Sequence, residues 1–335
     1  MSARCVREKV NTVSEPIIYA YSFDAQGRAR VLDVEAERPF EVADTSYAWV
    51  HMQALHPGTR RFLDDHADLE PIVVDAMLAE ETRPRALLKG DGMLVILRAM
   101  NLNEGADPED MISIRLWIDA DKVISTRRRD IKAIADIIGF VERDDAPRGP
   151  CGFLITITDR LFERMEPFFV DLEDRISRAE ELLASGRHDE ITDDAALVRK
   201  RTAIFSRYVT PQKVLLETLL KAEFDWFSEE NREHLVESLD RVTRYVEELQ
   251  ELRERSQILS DELNSAHGRR LNDITYIFSV AATIFLPLSF LTGLMGINVG
   301  GMPGVDSGDA FWAFSGLCVL IVAVQVFVFK KWKWF

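Results

Sequence analysis

The chain has 335 residues, 47% of them hydrophobic, and a formal net charge of −15. That length and apolar content support a large buried core, while the acidic balance argues against a nucleic-acid binder, because phosphate contacts are made chiefly by Lys and Arg. Cys5, Cys151 and Cys318 are odd in number and far apart, so they point to neither a disulfide framework nor a zinc finger.

The N-terminal stretch MSARCVREKV has no apolar run that would serve as a signal peptide, and the bulk of the chain is expected to stay in the cytoplasm. Residues 1–150 read as an α/β domain. Strands are expected at Ile17–Phe23, Arg28–Leu32, Ala48–Met52, Met93–Met100, Ile112–Ile118 and Lys122–Thr126, where Val, Ile and aromatics lie between Gly, Asp and Pro. Helices are expected at Thr59–His66, Pro71–Ala79 and Ile131–Phe140, and Gly90-Asp91-Gly92 marks a hairpin turn. Arg127-Arg128-Arg129 is the one basic cluster and reads as a solvated strand end. No phosphate-cradling loop, nucleophile elbow or H-E-x-x-H helix is present, so the domain carries no catalytic signature and the chain is not read as an enzyme. His51, His56, His66, His188, His234 and His267 have no metal-ligand spacing among themselves or with the cysteines, and they read as surface or structural residues.

Residues 151–270 read as helical. Phe162, Met165, Phe169, Leu172, Ile176, Ala179 and Leu183 alternate by three and four as one seam, ending near Ser185-Gly186. A second helix starts at about Asp193, is kinked by Pro211 and stops around Trp226-Phe227-Ser228. A third starts near Ser228 and has no proline or glycine before Gly268, so it is expected to run on into the next segment as a stalk.

That segment, residues 271–295, is a membrane span. Ile274 to Met295 is about 22 residues without a formal charge, and at roughly 1.5 Å per residue it crosses a bilayer core of about 30 Å. Asn272, Thr275, Ser279, Ala282, Leu286, Ser289, Gly293 and Gly296 are spaced three and four apart and therefore share one face. Small residues also let two helices approach closely. An amide at one end and a glycine-rich break at the other favour a pore wall. Extending the same register backwards meets Asp261, Glu254, Glu251 and Glu247, acids that would concentrate cations if copies of the helix ring an axis. A solvated face is also commonly charged, and that reading stays open here.

Residues 296–309 form a loop, 310–329 a second span with Gln325 as its one strongly polar side chain, and 330–335 a basic aromatic tail. The loop has no Lys or Arg and carries Asp306 and Asp309, whereas Lys330, Lys331 and Lys333 follow the second span. Both termini are expected inside and the loop outside. Two helices cannot enclose water alone, so a lined conduit requires a homo-oligomer. Its outer mouth would be a ring of Gly296, Ile297 and Asn298, whose carbonyl and amide oxygens suit a hydrated divalent ion.

These residues resemble the CorA family of divalent-cation transporters. Phe285-Leu286-Pro287, Phe290-Leu291-Thr292-Gly293 and the run from Gly296 to Gly304 resemble its zinc-transporting ZntB branch, as do Glu81-Thr82-Arg83-Pro84-Arg85, Ser125-Thr126-Arg127 and Arg207-Tyr208 with Pro211-Gln212. The resemblance implies an α+β cytoplasmic domain, a long helical stalk and two C-terminal transmembrane helices in a funnel-shaped homopentamer of the inner membrane. It implies Zn2+ as cargo with no cofactor, and suggests coupling to protons. Asn298, acting through the ion's hydration shell, and Gly296 would form the selectivity ring. Ile297 and Met295 stand where the magnesium branch usually has Met and often Tyr. A Mg2+/Co2+ channel and a non-transporting membrane-anchored scaffold or metal sensor are the alternatives.

Overall fold

The computed structural model describes residues 16–36, 39–41, 46–187, 191–297, 304 and 307–331. It divides into two compact units, Met1–Ser260 and Asp261–Phe335.

The first unit is built on a seven-stranded sheet with β1 (Ile17–Phe23), β2 (Ala29–Val31), β3 (Tyr47–Gln53), β4 (Arg85–Lys89), β5 (Gly92–Ala99), β6 (Ile112–Ile118) and β7 (Lys122–Arg127). Their order is β2-β1-β3-β7-β6-β5-β4, and only the central β3–β7 pair is parallel. Central strands are apolar on both faces, and the alternation sorts them into two cores. Val50, Met52, Leu94, Ile96 and Ile124 face α1 (Pro57–His66) and α2 (Pro71–Leu78). Trp49, Val95, Leu97, Ile114, Leu116 and Val123 face helices later in the chain through Phe153, Phe162, Phe205 and Val242. Trp49 is fully buried with its ring centroid 4.9 Å from that of Phe153, so Trp49→Ala would open a cavity costing about 3–5 kcal/mol.

β4 is an addition to the sequence reading, which placed the Gly90-Asp91-Gly92 turn without the strand before it. Gly90 has φ +56, and a Cβ on Gly92 would stand 2.5 Å from the Trp117 ring, so both glycines are required by this hairpin. The other helices are α3 (Lys132–Glu142), α4 (Gly149–Glu163), α5 (Glu166–Ala184), α6 (Thr192–Leu220), α7 (Glu229–Met295) and α8 (Ala310–Lys331). The seam expected from Phe162 to Leu183 is interrupted at Arg164-Met165, because Pro167 in the first turn of α5 can supply no amide to a helix arriving from α4. α6 ends at Leu220, short of Trp226. Arg232 of α7 donates to the carbonyls of Leu220 and Ala222 at 2.9 and 2.8 Å, which satisfies the helix end, and Phe224 stacks on Trp226 beyond it. Farther along α7, Arg255 grips both Glu180 oxygens of α5 at 2.9 and 2.7 Å and reaches Glu173 at 2.6 Å. The expectation that the third helix runs on through Gly268 is met, since α7 is one helix of 67 residues.

The second unit contains the end of α7 and the 22-residue α8. Both have apolar stretches long enough to span a bilayer.

Candidate cation path

On the membrane part of α7, the partly shielded residues are Val280, Ala281, Ile284, Leu288 and Leu291. On α8 they include Phe314, Cys318, Ile321, Val322, Gln325 and Val328, with Phe329 buried. Each set repeats every three or four residues and marks the side on which the helix is covered. Asn272, Thr275, Ser279, Ala282, Leu286, Ser289, Gly293 and Gly296 are all exposed. At about 100° per residue, their stripe lies on the opposite side of α7 from the shielded positions. Within one protomer, therefore, the stripe is not the seam that pairs the two spans.

Three hydroxyls of this segment are turned back onto the helix. Ser279 Oγ donates to Thr275 O at 2.8 Å, Thr283 Oγ1 to Ser279 O at 2.7 Å and Thr292 Oγ1 to Leu288 O at 2.9 Å. A hydroxyl whose proton is used this way offers its remaining lone pairs outward. On the stripe, Ser279 thus presents an acceptor, which suits water bound to a cation.

At the end of α7, the Gly296 amide donates to Thr292 O at 2.9 Å and Gly293 O at 3.1 Å, closing the helix, and Ile297 is exposed beyond it. Asn298 and Asp306 lie outside the described residues. Asp309 is exposed immediately before α8, where its charge complements the positive end of the helix dipole. Glu254 is exposed on α7 and accepts from Gln250 at 3.1 Å. Asp261 is also exposed on α7, and its carbonyl accepts the Ser265 hydroxyl at 2.8 Å. The described residues bring no three His, Cys, Asp or Glu side chains together as a metal cage.

Two features were missed in the sequence. Gln325 Nε2 donates across to Thr283 O at 3.0 Å, making the lone amide of α8 an anchor on α7. The basic triplet is not a solvated strand end throughout. Arg128 is partly buried and donates to Leu78 O at 3.2 Å, Arg127 pairs with Asp130 at 2.9 Å, and only Arg129 is exposed. Among the described histidines, His51 is fully buried with Nδ1 2.7 Å from Ser125 Oγ, and burial together with the nearby Arg127 charge holds its pKa well below the ordinary value. His56 caps α1 by accepting the Gly58 amide at 3.0 Å. Burial pushes the Cys151 thiol up to about 12, so it stays protonated and unreactive at neutral pH.

Compared with known proteins, residues 44–331 match the family model for CorA-like Mg2+ transporter protein. The divalent cation transporter CmaX of Pseudomonas aeruginosa is 34% identical over 323 residues, covering 95% of this chain and 96% of the relative. The zinc transport protein ZntB of Pectobacterium carotovorum is 31% identical over 321 residues, with 95% of each chain covered. The solved structure of full-length CmaX superposes with a TM-score of 0.82 at 32% identity, covering 97% of this chain and 100% of that one.

Proposed function

Because this chain belongs to the family of CorA-like Mg2+ transporter proteins, we propose that it carries divalent metal cations across a membrane, with Zn2+ as the principal cargo, through an axial path walled by α7 from several copies. The observation that carries this reading is the exposed stripe from Asn272 to Gly296 on the side of α7 away from its shielded face. One protomer leaves that stripe without a lining partner. Symmetry mates around an axis would turn it into a wet wall of hydroxyl and backbone oxygens. A homopentamer is the assembly proposed.

The divalent ion would enter as a hydrated species. Gly296, Ile297 and Asn298 would form the outer ring, with Asp306 and Asp309 raising the local cation concentration. Glu254 and Asp261 would do the same at the inner mouth. Oxygen dipoles contacting the hydration shell suit an ion that gives up water reluctantly. The lack of Lys and Arg between residues 296 and 309, against Arg269, Arg270, Lys330 and Lys331 at the opposite ends of the two spans, supports an inner-membrane placement with both termini cytoplasmic.

Relatives named for zinc and for divalent cations match at similar identity, so the preference for Zn2+ is argued from residues. Ile297 and Met295 depart from the pattern of the magnesium branch at the mouth of the path. Uptake is the default direction, because about −100 mV inside favours entry of a divalent ion by roughly 4.6 kcal/mol, at about 2.3 kcal/mol per charge. Proton coupling is the further element of the proposal.

Zinc flux into proteoliposomes under an inside-negative potential, with and without an imposed pH gradient, tests all three points. Saturable zinc entry, faster with the gradient and reduced at least tenfold by Asn298→Ala, is expected. No net zinc entry would remove the uptake reading. Excess Mg2+ or Co2+ abolishing zinc flux would favour the magnesium-type channel instead.

A further inference from the structure

Four stretches that the cation path does not use meet at one place in the first unit. Glu81-Thr82-Arg83-Pro84-Arg85 supplies the Thr82 carbonyl, which accepts from Arg98 Nε at 3.2 Å and also from Arg98 Nη2. Pro211-Gln212 supplies Gln212 Oε1, which accepts the Arg98 amide at 2.9 Å. Arg207-Tyr208 supplies the Tyr208 ring, whose centroid lies 5.0 Å from Arg98 Cζ. Ser125-Thr126-Arg127 supplies Thr126, which pairs in register with Arg115, and Arg98 pairs with Ser113 on the same strand.

The result is a group of guanidinium ions on the α2 side of the sheet. Arg115 is fully buried, and Arg98 and Arg128 sit close enough for their charges to repel it. Arg115 Nη2 donates to Ala79 O at 2.7 Å and Arg128 Nη2 to Leu78 O at 3.2 Å. Capping the last carbonyls of α2 accounts for one nitrogen of each. Arg115 Nε and Nη1 and Arg128 Nε are shielded from solvent without a hydrogen-bond acceptor. Burying a guanidinium with no facing carboxylate is costly and calls for an anion nearby.

A cleft of about 460 Å³ opens beside this group, with Arg98, Arg128, Arg129 and Ser113 in its wall. Its carboxylates do not balance it. Glu109 is held by Lys200 at 3.0 Å and Arg201 at 2.8 Å. Glu80 is exposed and reaches Arg128 only at 3.7 Å, and Asp110 is exposed. Arg129 makes no hydrogen bond or ion pair among the described residues. Arg98, Arg115, Arg128 and Arg129 thus stand against Glu80 and Asp110 in the cleft and Glu81 beside Arg98, in a chain whose net charge is −15.

We propose that this cleft binds a phosphate-type oxyanion, the phosphate group of a small phosphorylated molecule. Arg128 and Arg129 hold the oxygens, Ser113 adds a hydroxyl donor, and Arg98 and Arg115 supply positive charge from behind. Forked donors approaching from several directions match a tetrahedral oxyanion and give a monatomic halide no comparable advantage. The cleft is larger than a phosphate alone, leaving room for the organic part of such a ligand.

The test uses the purified full chain in detergent, with inorganic phosphate and pyrophosphate as probes at constant ionic strength, read by thermal unfolding and by titration calorimetry. A saturable upward shift of the unfolding midpoint is expected with both probes, with chloride giving a much smaller shift. Arg129→Gln should weaken phosphate binding at least tenfold without changing the midpoint of the unliganded protein, since Arg129 braces none of the described residues. Arg128→Gln should weaken binding as well, with some loss of stability from the α2 cap. Equal shifts from phosphate and chloride, or an unchanged phosphate response in Arg129→Gln, would overturn the proposal. No flux is measured, so the outcome is independent of the cation path.

Discussion

Gln325 donates to the carbonyl of Thr283 at 3.0 Å, and Thr283 is the residue whose usual amide partner, four positions on, is Pro287. Proline has no N–H, so the Thr283 oxygen has no intrahelical amide to accept at a depth where water is scarce. The side chain of α8 replaces the missing backbone donor. The bend-prone turn of α7 and the position of α8 are fixed by the same bond.

This pairing predicts a specific coupling. Gln325→Leu should destabilise the two-helix unit by about 1 kcal/mol, within the range measured for hydrogen bonds between membrane helices. In a Pro287→Ala background the residue at 287 again carries an amide, and the cost of Gln325→Leu should fall to about a third of that value or less. Reversible unfolding in mixed micelles, carried out on the four members of the cycle, measures the difference. Equal costs in both backgrounds would mean that Gln325 does not serve the oxygen freed by Pro287.

His51 makes the first unit sensitive to acid. Trp49 Nε1 donates to Ser125 Oγ at 2.9 Å, Ser125 Oγ lies 2.7 Å from His51 Nδ1, and the buried His51 Nε2 has no partner among the described residues, an arrangement for a neutral imidazole. Its folded pKa is lowered, so below about pH 6.5 the unfolded chain binds a proton that the folded one refuses, and stability falls as pH falls through that range. Above it, His51 contributes no pH dependence. Denaturant unfolding at pH 7.5 and 5.5 should show a loss on acidification that is smaller in His51→Leu by about 1 kcal/mol, given up to 1.4 kcal/mol per pH unit for a single group. An identical loss in both proteins would place the acid sensitivity elsewhere.

What the sequence disclosed follows the range of the physics. The α7 stripe is a local periodicity and the β3 strand a local run of apolar and aromatic residues, both readable without a partner. β4 was passed over because Arg85–Lys89 is a short edge strand with a charge at each end and little burial, so nothing in its pattern separates it from a loop. The α4–α5 break was overridden by an apolar rhythm running through Pro167, although proline in a first turn is itself a start signal. Gln325 was visible as the lone amide of an apolar span, but its partner is 42 residues away and depends on how two helices align. Arg98, Arg115 and Arg128 likewise become neighbours only once the register of β5, β6 and β7 is known.

The cation path makes its sharpest prediction by contrasting two sides of one helix. Ala282 lies on the stripe, whereas Ile277 is also exposed but lies near the opposite side of α7. Phenylalanine at either position leaves an apolar ring in a lipid-compatible segment, and because Ala282→Phe adds the greater bulk, the oligomer each variant forms is the control for a general disturbance of insertion or folding. If symmetry mates bring the stripe to a wet axis, Ala282→Phe narrows and dewets the path several times over, once per copy, while Ile277→Phe meets lipid or a neighbouring helix. Zinc flux in proteoliposomes should fall at least tenfold in Ala282→Phe and change by less than about twofold in Ile277→Phe, with both variants eluting from size exclusion at the position of the parent oligomer. Flux through Ala282→Phe at the parental rate, or an equal fall in both variants, would show that the stripe does not line the conduit.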